Sequence, residues 1–273
     1  MIDFFAELFS YGFIIRAFIA GIIISLCAAL LGTVLVLKRF SMIGDGLSHV
    51  GFGTMAIAMA CNQSPLLISV PVCVLAAFLL LRVSSSSGVK GDAATALISS
   101  SALAVGILVT SATSGLNTDV TAFMFGSILA ISRTDVIISV ILGMLVIGLF
   151  IAFYNRIFLV TFDESFATAS GIRSSAYNAL IAVLTALTIV IGMRLMGAMM
   201  ISSLIIFPAL SAMRIFRSFF KTVVFAAVLS AVCFTVGMIM SFALSTPAGA
   251  SIVTANLAAF LICFAAGKIC ALR

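Results

Sequence analysis

Long apolar runs alternate with short polar breaks along this chain, and reading the breaks as punctuation gives nine helical segments. The first is Gly12 to Leu37, ended by Lys38 and Arg39. Residues 45–60 form a second, glycine-rich segment before the turn Asn62-Gln63-Ser64-Pro65, and 66–81 a third, closed by Arg82. Further helices are expected over 92–112, 136–154, 176–193, 195–213 (kinked at Pro208), 222–244 and 251–267. Each run is about twenty residues, the length of a membrane-spanning helix, and none alternates at period two as a barrel strand would. The expected fold class is all-α: a polytopic membrane helical bundle of eight or nine crossings, forming one transmembrane domain over 1–273. The uncertainty of one crossing comes from residues 120–131, too short to span and expected to be re-entrant or interfacial, and from the closely spaced pair 176–193 and 195–213. Residues 1–11 read as an interfacial lead-in; acids and no basic residue among the first ten predict no cleavable signal. Ser84 to Gly91 reads as a flexible polar loop, and no internal repeat is evident.

Composition agrees with this pattern. Hydrophobic residues make up 64% of the chain and charged residues 8%, against about 25% charged in a soluble domain. The net charge of +6 does not point to nucleic acid, because the basic residues sit singly or in pairs at the ends of apolar runs. With nine crossings and the N-terminus outside, every Lys and Arg except Arg16, Arg133 and Arg194, eleven of fourteen, faces the cytoplasm, as the positive-inside rule requires. The C-terminus is then cytoplasmic. The six cysteines have no CxxC spacing and read as small buried hydrophobes.

Against this background one stretch stands out, Lys38 to Thr54, KRFSMIGDGLSHVGFGT. It holds His49, the sole histidine, and Asp45, one of eight acids. Four residues apart on a helix, the two side chains share a face about 5–6 Å apart at Cβ, so a carboxylate and an imidazole can grip one divalent cation. Asp45 can instead serve as the cap of the helix that carries His49. In so apolar a chain the functional use is favoured, because ionisable groups in spanning segments are costly. Glycines 44, 46, 51 and 53 strip the surrounding surface of bulk, for a neighbouring helix or a passing ion.

The longest polar connection is Asn155 to Ser175. Within it Asp163 to Ile172 predicts a short helix, acidic in its first turn and stopped by Gly171, which can dock a soluble subunit or be an ordinary capped loop. Arg16 and Arg194 are expected to snorkel at an interface; Asn178 and Asn256 read as interhelical hydrogen-bond donors.

Three stretches, in order along the chain, carry a family resemblance. KRFSMIGDGLSHVGFG resembles the R-R-M-S-x-x-G-D-x-L-S-H-A motif of the permeases of bacterial zinc and manganese ABC importers, with Gly46 and Val50 where the motif often has Ala. FDESFATASGI is similar to the coupling loop of those permeases, and LTALTIVIGMRLMGAMMISSLIIFPALSAM with STPAGASIV to their C-terminal half. The resemblance implies a type II-like importer in the bacterial inner membrane: a homodimer of this chain, two cytoplasmic ATPase subunits and an extracytoplasmic metal-binding protein. It implies Asp45 and His49 as transient ligands of transported Zn2+ or Mn2+, with no permanently bound cofactor. It places the ATPase contact on 155–175, with Asp163, Glu164, Phe166 and Gly171. ATP belongs to the partner, since neither Gly88-Val89-Lys90 nor Gly267-Lys268 completes a G-x-x-x-x-G-K-[ST] phosphate loop, and the chain itself is not expected to be an enzyme. Two pairs sharing one N2O2 site, or one water-completed site per copy, both fit. Uptake is expected to weaken in acid, because a ligating imidazole must be neutral. A manganese or iron permease, a carrier acting without an ATPase, and a non-transporting scaffold are the competing readings.

Overall fold

A computed structural model describes residues 12–86, 91–113, 126 and 131–271. These residues are helical almost throughout, in the order α1 (Gly12–Leu37), α2 (Ile43–Ala60), α3 (Pro65–Ser86), α4 (Gly91–Ala112), α5 (Arg133–Ala152), α6 (Tyr154–Phe162), α7 (Glu164–Ala169), α8 (Ser174–Met196), α9 (Ala198–Ile215), α10 (Phe219–Leu244) and α11 (Ala248–Ala271). Among the described residues, all but α2, α3, α6 and α7 are long and apolar enough to cross a membrane, seven helices in all. α3 has a shorter apolar stretch, Pro65–Leu80, and α2 is diluted by its glycines, Asp45 and His49. The chain is a multi-pass, all-α membrane bundle.

α1 forms its axis, with α5, α8, α9 and α10 packed around it. Ala20, Ile24, Cys27, Ala28 and Val34 of α1 are wholly buried, whereas Leu97 and Leu108 on the peripheral α4 are exposed. In a membrane, exposed leucines of this kind meet lipid or another helix. α2 lies between α3, α4, α8 and α9. α8 and α9 form an antiparallel hairpin about Gly197, whose φ of 91° is open to glycine at little cost, and a Cβ at Gly192 would meet Ile201.

Several element boundaries differ from the sequence expectation. α2 starts two residues early, at Ile43, and α3 runs on to Ser86, so Arg82 does not close it and Ser84 lies within helix and not in a loop. The break between the two hairpin helices falls at Gly197 and leaves Arg194 inside α8. The supposed loop after residue 154 starts with a helix, α6, which buries Ile157 and Val160 while exposing Phe158 and Phe162. It is a short helix, nine residues in all, and the polar residues at its start and after its end hide it. Residues 1–11 and, apart from Gly126 and Ile131, the 120–131 segment lie outside the described residues.

Candidate metal site and partner face

α2 begins at Ile43 with Met42 as N-cap and no side-chain cap, so Asp45 does not cap the helix. Its carboxylate Oδ2 instead lies 3.7 Å from His49 Nε2. That is contact distance for opposite charges but too long for a hydrogen bond. Ser202 Oγ on α9 donates to Asp45 Oδ1 at 3.4 Å, and Ser48 Oγ donates to the Asp45 carbonyl at 2.7 Å. The His49 side chain is 18% exposed and that of Asp45 39%.

The glycines let neighbouring helices approach α2 closely. A Cβ at Gly44 would meet Ile205 of α9 at 3.0 Å, at Gly46 Thr95 of α4 at 2.6 Å, and at Gly51 Met193 of α8 at 2.8 Å. At Gly53 it would meet the Ala102 carbonyl oxygen of α4 at 2.5 Å. All four glycines are therefore taken up by neighbouring helices, and the room they make is not an ion path. The grip comes close to the pair itself: Gly53 is one turn from His49 on the same side of α2, and Ser202 of α9 reaches Asp45.

Among the described residues no group of three or more His, Cys, Asp or Glu side chains gathers around a common point. One chain thus offers two strong donors, with the Ser202 hydroxyl beside them. Tetrahedral ligands at about 2.1 Å from an ion lie about 3.4 Å apart, and neighbouring ligands of an octahedral ion at that distance about 3.0 Å apart. The observed 3.7 Å is nearer the tetrahedral edge.

At the end of the bundle where α1 finishes, the 155–175 stretch forms a compact corner. Asp163 is the N-cap of α7, accepting from the Phe166 amide at 2.8 Å. Gly171, with φ of 81°, ends the helix, while the Gly171 and Ile172 amides return to the Thr168 and Ala167 carbonyls, each at 3.0 Å. This is the C-cap that glycine permits. Phe166 is 56% exposed and faces outward. Glu164, however, is not free for a partner in full. Its Oε1 accepts from Asn178 Nδ2 at 2.9 Å and its Oε2 lies 3.8 Å from Lys38 Nζ. Lys38 also donates to Asn178 Oδ1. Burial pushes the Lys38 ammonium below the usual lysine pKa, and the Glu164 charge beside it opposes that shift without overcoming it. Beside α7, Arg156 donates to the Tyr177 hydroxyl at 2.6 Å and lies over the Phe153 and Tyr177 rings.

Sequence reasoning missed Ser202, Lys38 and Asp135, all brought to their partners by the fold. Arg194, expected to snorkel, sits 3.2 Å from the buried Asp135 carboxylate on α5, which also closes a capping box with Ser132. Arg16 does not simply snorkel, since its Nε is buried without a partner among the described residues. Asn178 does bond across elements, but Asn256 bonds within its own helix, to the Ile252 carbonyl at 2.9 Å. Of the five cysteines with described side chains four are buried, and Cys61, at the end of α2, is exposed.

Known proteins resemble this chain over nearly its whole length. It is 28% identical over 262 residues to the manganese import system permease protein ScaB of Streptococcus gordonii, covering 96% of this chain and 94% of that one. With the high-affinity zinc uptake system membrane protein ZnuB of Haemophilus influenzae it shares 29% identity over 246 residues, 90% of this chain and 94% of the other. Among solved structures, PsaBC from Streptococcus pneumoniae in complex with Fab matches with a TM-score of 0.86 at 28% identity, covering 97% of this chain and 95% of that one. Residues 10–267 match the ABC 3 transport family, and the chain belongs to that family.

Proposed function

We propose that this chain is the membrane-spanning subunit of an ATP-driven importer for a divalent metal, Zn2+ in first place and Mn2+ as the rival cargo. The observation that carries the reading is the Asp45–His49 pair: two metal-binding groups 3.7 Å apart, not hydrogen-bonded to each other, both partly exposed on α2 with the Ser202 hydroxyl of α9 beside them. Relatives named for manganese and for zinc support a metal cargo equally; two such pairs would give an N2O2 donor set, which suits tetrahedral zinc. Two donors are too few for a tight cage, which suits an ion that must leave again. A second copy of the chain, or water, supplies the remaining ligands.

In this reading the homodimer sits in the bacterial inner membrane with the α6–α7 corner and the C-terminus in the cytoplasm and the N-terminus outside. A soluble metal-binding protein delivers the ion to the outer face. Two ATPase subunits meet the corner through Asp163, Glu164, Phe166 and Gly171. ATP binding draws the corner with it and tilts the helices, opening one side at a time.

The test is to purify the chain with its ATPase and measure ATP turnover and uptake in vesicles with zinc and manganese offered together. Metal-stimulated turnover with zinc taken up first is expected, and His49→Ala and Asp45→Ala complexes should assemble but transport nothing. Preferred uptake of manganese would reverse the cargo assignment. Normal transport by both variants would remove the site, and uptake without any ATPase would make the chain a stand-alone carrier.

A further inference from the structure

The Lys38–Glu164–Asn178 cluster ties together three elements that the proposed cycle must move in concert. Lys38 is the residue after α1 and its side chain is 9% exposed. Glu164 is the first residue of α7, and Asn178 belongs to the first turns of α8. A second bond fastens the same junction: Thr168 and Ser174 hydroxyls are 2.8 Å apart, and Ser174 Oγ reaches the Glu164 carbonyl at 3.3 Å. α7 is thus held to the start of α8 by backbone-linked and side-chain bonds. Lys38 alone, among the described contacts of these residues, carries the junction across to α1.

From Lys38 the path to the metal pair is short and stiff. Arg39 takes a φ of 63°, and the chain turns at once into α2. The Arg39 amide returns to the Val36 carbonyl at 3.0 Å, the Phe40 amide to Leu35 at 2.8 Å, and the Ile43 amide to Phe40 at 3.1 Å. A corner bonded at Arg39, Phe40 and Ile43 moves with the helix it starts, and Asp45 lies in the first turn of that helix. A displacement of α7 therefore has a direct route to Asp45 through one side chain and one turn, beside the packing of α8 against α1 and α2.

A buried ammonium is a poor way to gain stability, because desolvation offsets most of the attraction. An apolar side chain of Lys38's length would fill the same space more favourably. What the charge provides is a directional grip on α7. We propose that Lys38 is a positioning residue that transmits movement of α7 to the Asp45–His49 pair, so that its contacts with Glu164 and Asn178 set how much metal crosses per ATP hydrolysed. The proposal rests on reading α7 as the ATPase contact.

The experiment uses the full complex of permease and ATPase in vesicles and reads the ratio of metal transported to ATP hydrolysed. Lys38→Met keeps the stem and removes the charge. The complex should assemble and hydrolyse ATP at the basal rate, while metal moved per ATP falls roughly tenfold, within the usual range of coupling between sites. Half-saturation by metal should stay unchanged, since both ligands remain. Lys38→Arg should restore much of the ratio. Asn178→Leu removes the other hold on the ammonium and should lower the ratio in the same way; it carries the test if Lys38→Met does not assemble. A ratio equal to wild type in whichever variants assemble, with total activity simply tracking the amount of folded complex, would overturn the proposal by showing that the cluster only supports the fold. If the wild-type complex itself shows no metal-stimulated ATP turnover, the proposed function fails, not this link alone.

Discussion

Two polar clusters lie seven residues apart in the sequence and solve the cost of polar groups in an apolar protein in opposite ways. Around Lys38 every strong group is used: the ammonium by Asn178 and Glu164, the carboxylate by both, the amide by both. Around Asp45 the bonding is incomplete. The carboxylate has one long bond from Ser202, and the imidazole lies near it without bonding to it. A satisfied cluster holds parts of a protein together; one with spare valence can accept a ligand. The difference teaches where to look for the cargo and where to look for the lever.

The largest expected effect attacks the open cluster. His49→Ala leaves one strong donor per chain, and uptake of either metal should drop to background while the complex still assembles, checked by vesicle uptake and co-purification. Substantial uptake by this variant would erase the distinction, because the open pair would then be as dispensable as any surface polar group.

Next comes the scaffold that holds α2 in place. Gly53→Ala places a Cβ 2.5 Å from the Ala102 carbonyl oxygen, a backbone atom that cannot turn aside. α2 and α4 must separate, at a cost of about 1–3 kcal/mol typical of overpacking. Gly148→Ala on α5 meets nothing within 4 Å and should instead gain up to about 1 kcal/mol, the helix preference of Ala over Gly. Thermal unfolding in detergent should lower the midpoint for the first and leave the second level or raised. Equal behaviour of the two would mean that the close approach at Gly53 does not hold α2 in place.

Ser202 sharpens the comparison on a smaller scale. Its bond to Asp45 is long, 3.4 Å, and its hydroxyl also reaches the Ala198 carbonyl at 3.1 Å. Ser202→Ala should therefore cost no more than about 1 kcal/mol at the site, a change of a few-fold in the metal concentration that half-saturates uptake, with maximal rate preserved. A loss as severe as that of His49→Ala would promote Ser202 to a ligand.

How much of this was legible beforehand depends on distance along the chain. The Asp45–His49 spacing is a property of one helix, so periodicity alone places both side chains on one face. The acidic first turn of α7 at Glu164 and the stop at Gly171 are equally local, and both form as expected, though the helix is Glu164–Ala169 and Asp163 caps it from outside. Ser202 lies 157 residues from Asp45, and Asn178 140 from Lys38. Nothing in local pattern pairs them, and Lys38 looked like one more positive charge ending an apolar run. α6 was hidden for another reason: it is only nine residues long, and Asn155 and Arg156 at its start with Asp163 and Glu164 after its end make it read as part of one polar connection. Asn256 misled in the opposite direction, because a buried amide on a helix can bond to its own preceding turn as readily as to a neighbour.

The smallest effect concerns a third cluster at the far end of α8, which is closed like that of Lys38 but joins only two spanning helices. Asp135 accepts from the Ser132 amide at 3.0 Å and the Ser132 hydroxyl at 2.7 Å, besides pairing with Arg194 at 3.2 Å. Arg194→Gln removes one of three partners, and the guanidinium is 44% exposed, so solvent already screens it. The expected loss is under about 1 kcal/mol, and metal moved per ATP should not change, because no element of the α6–α7 corner touches this pair. The same vesicle assay that tests Lys38→Met reads it directly. A coupling defect in Arg194→Gln as large as in Lys38→Met would show that any closed cluster on α8 disturbs transport when broken. The special role assigned to the one that reaches α7 would then have to be withdrawn.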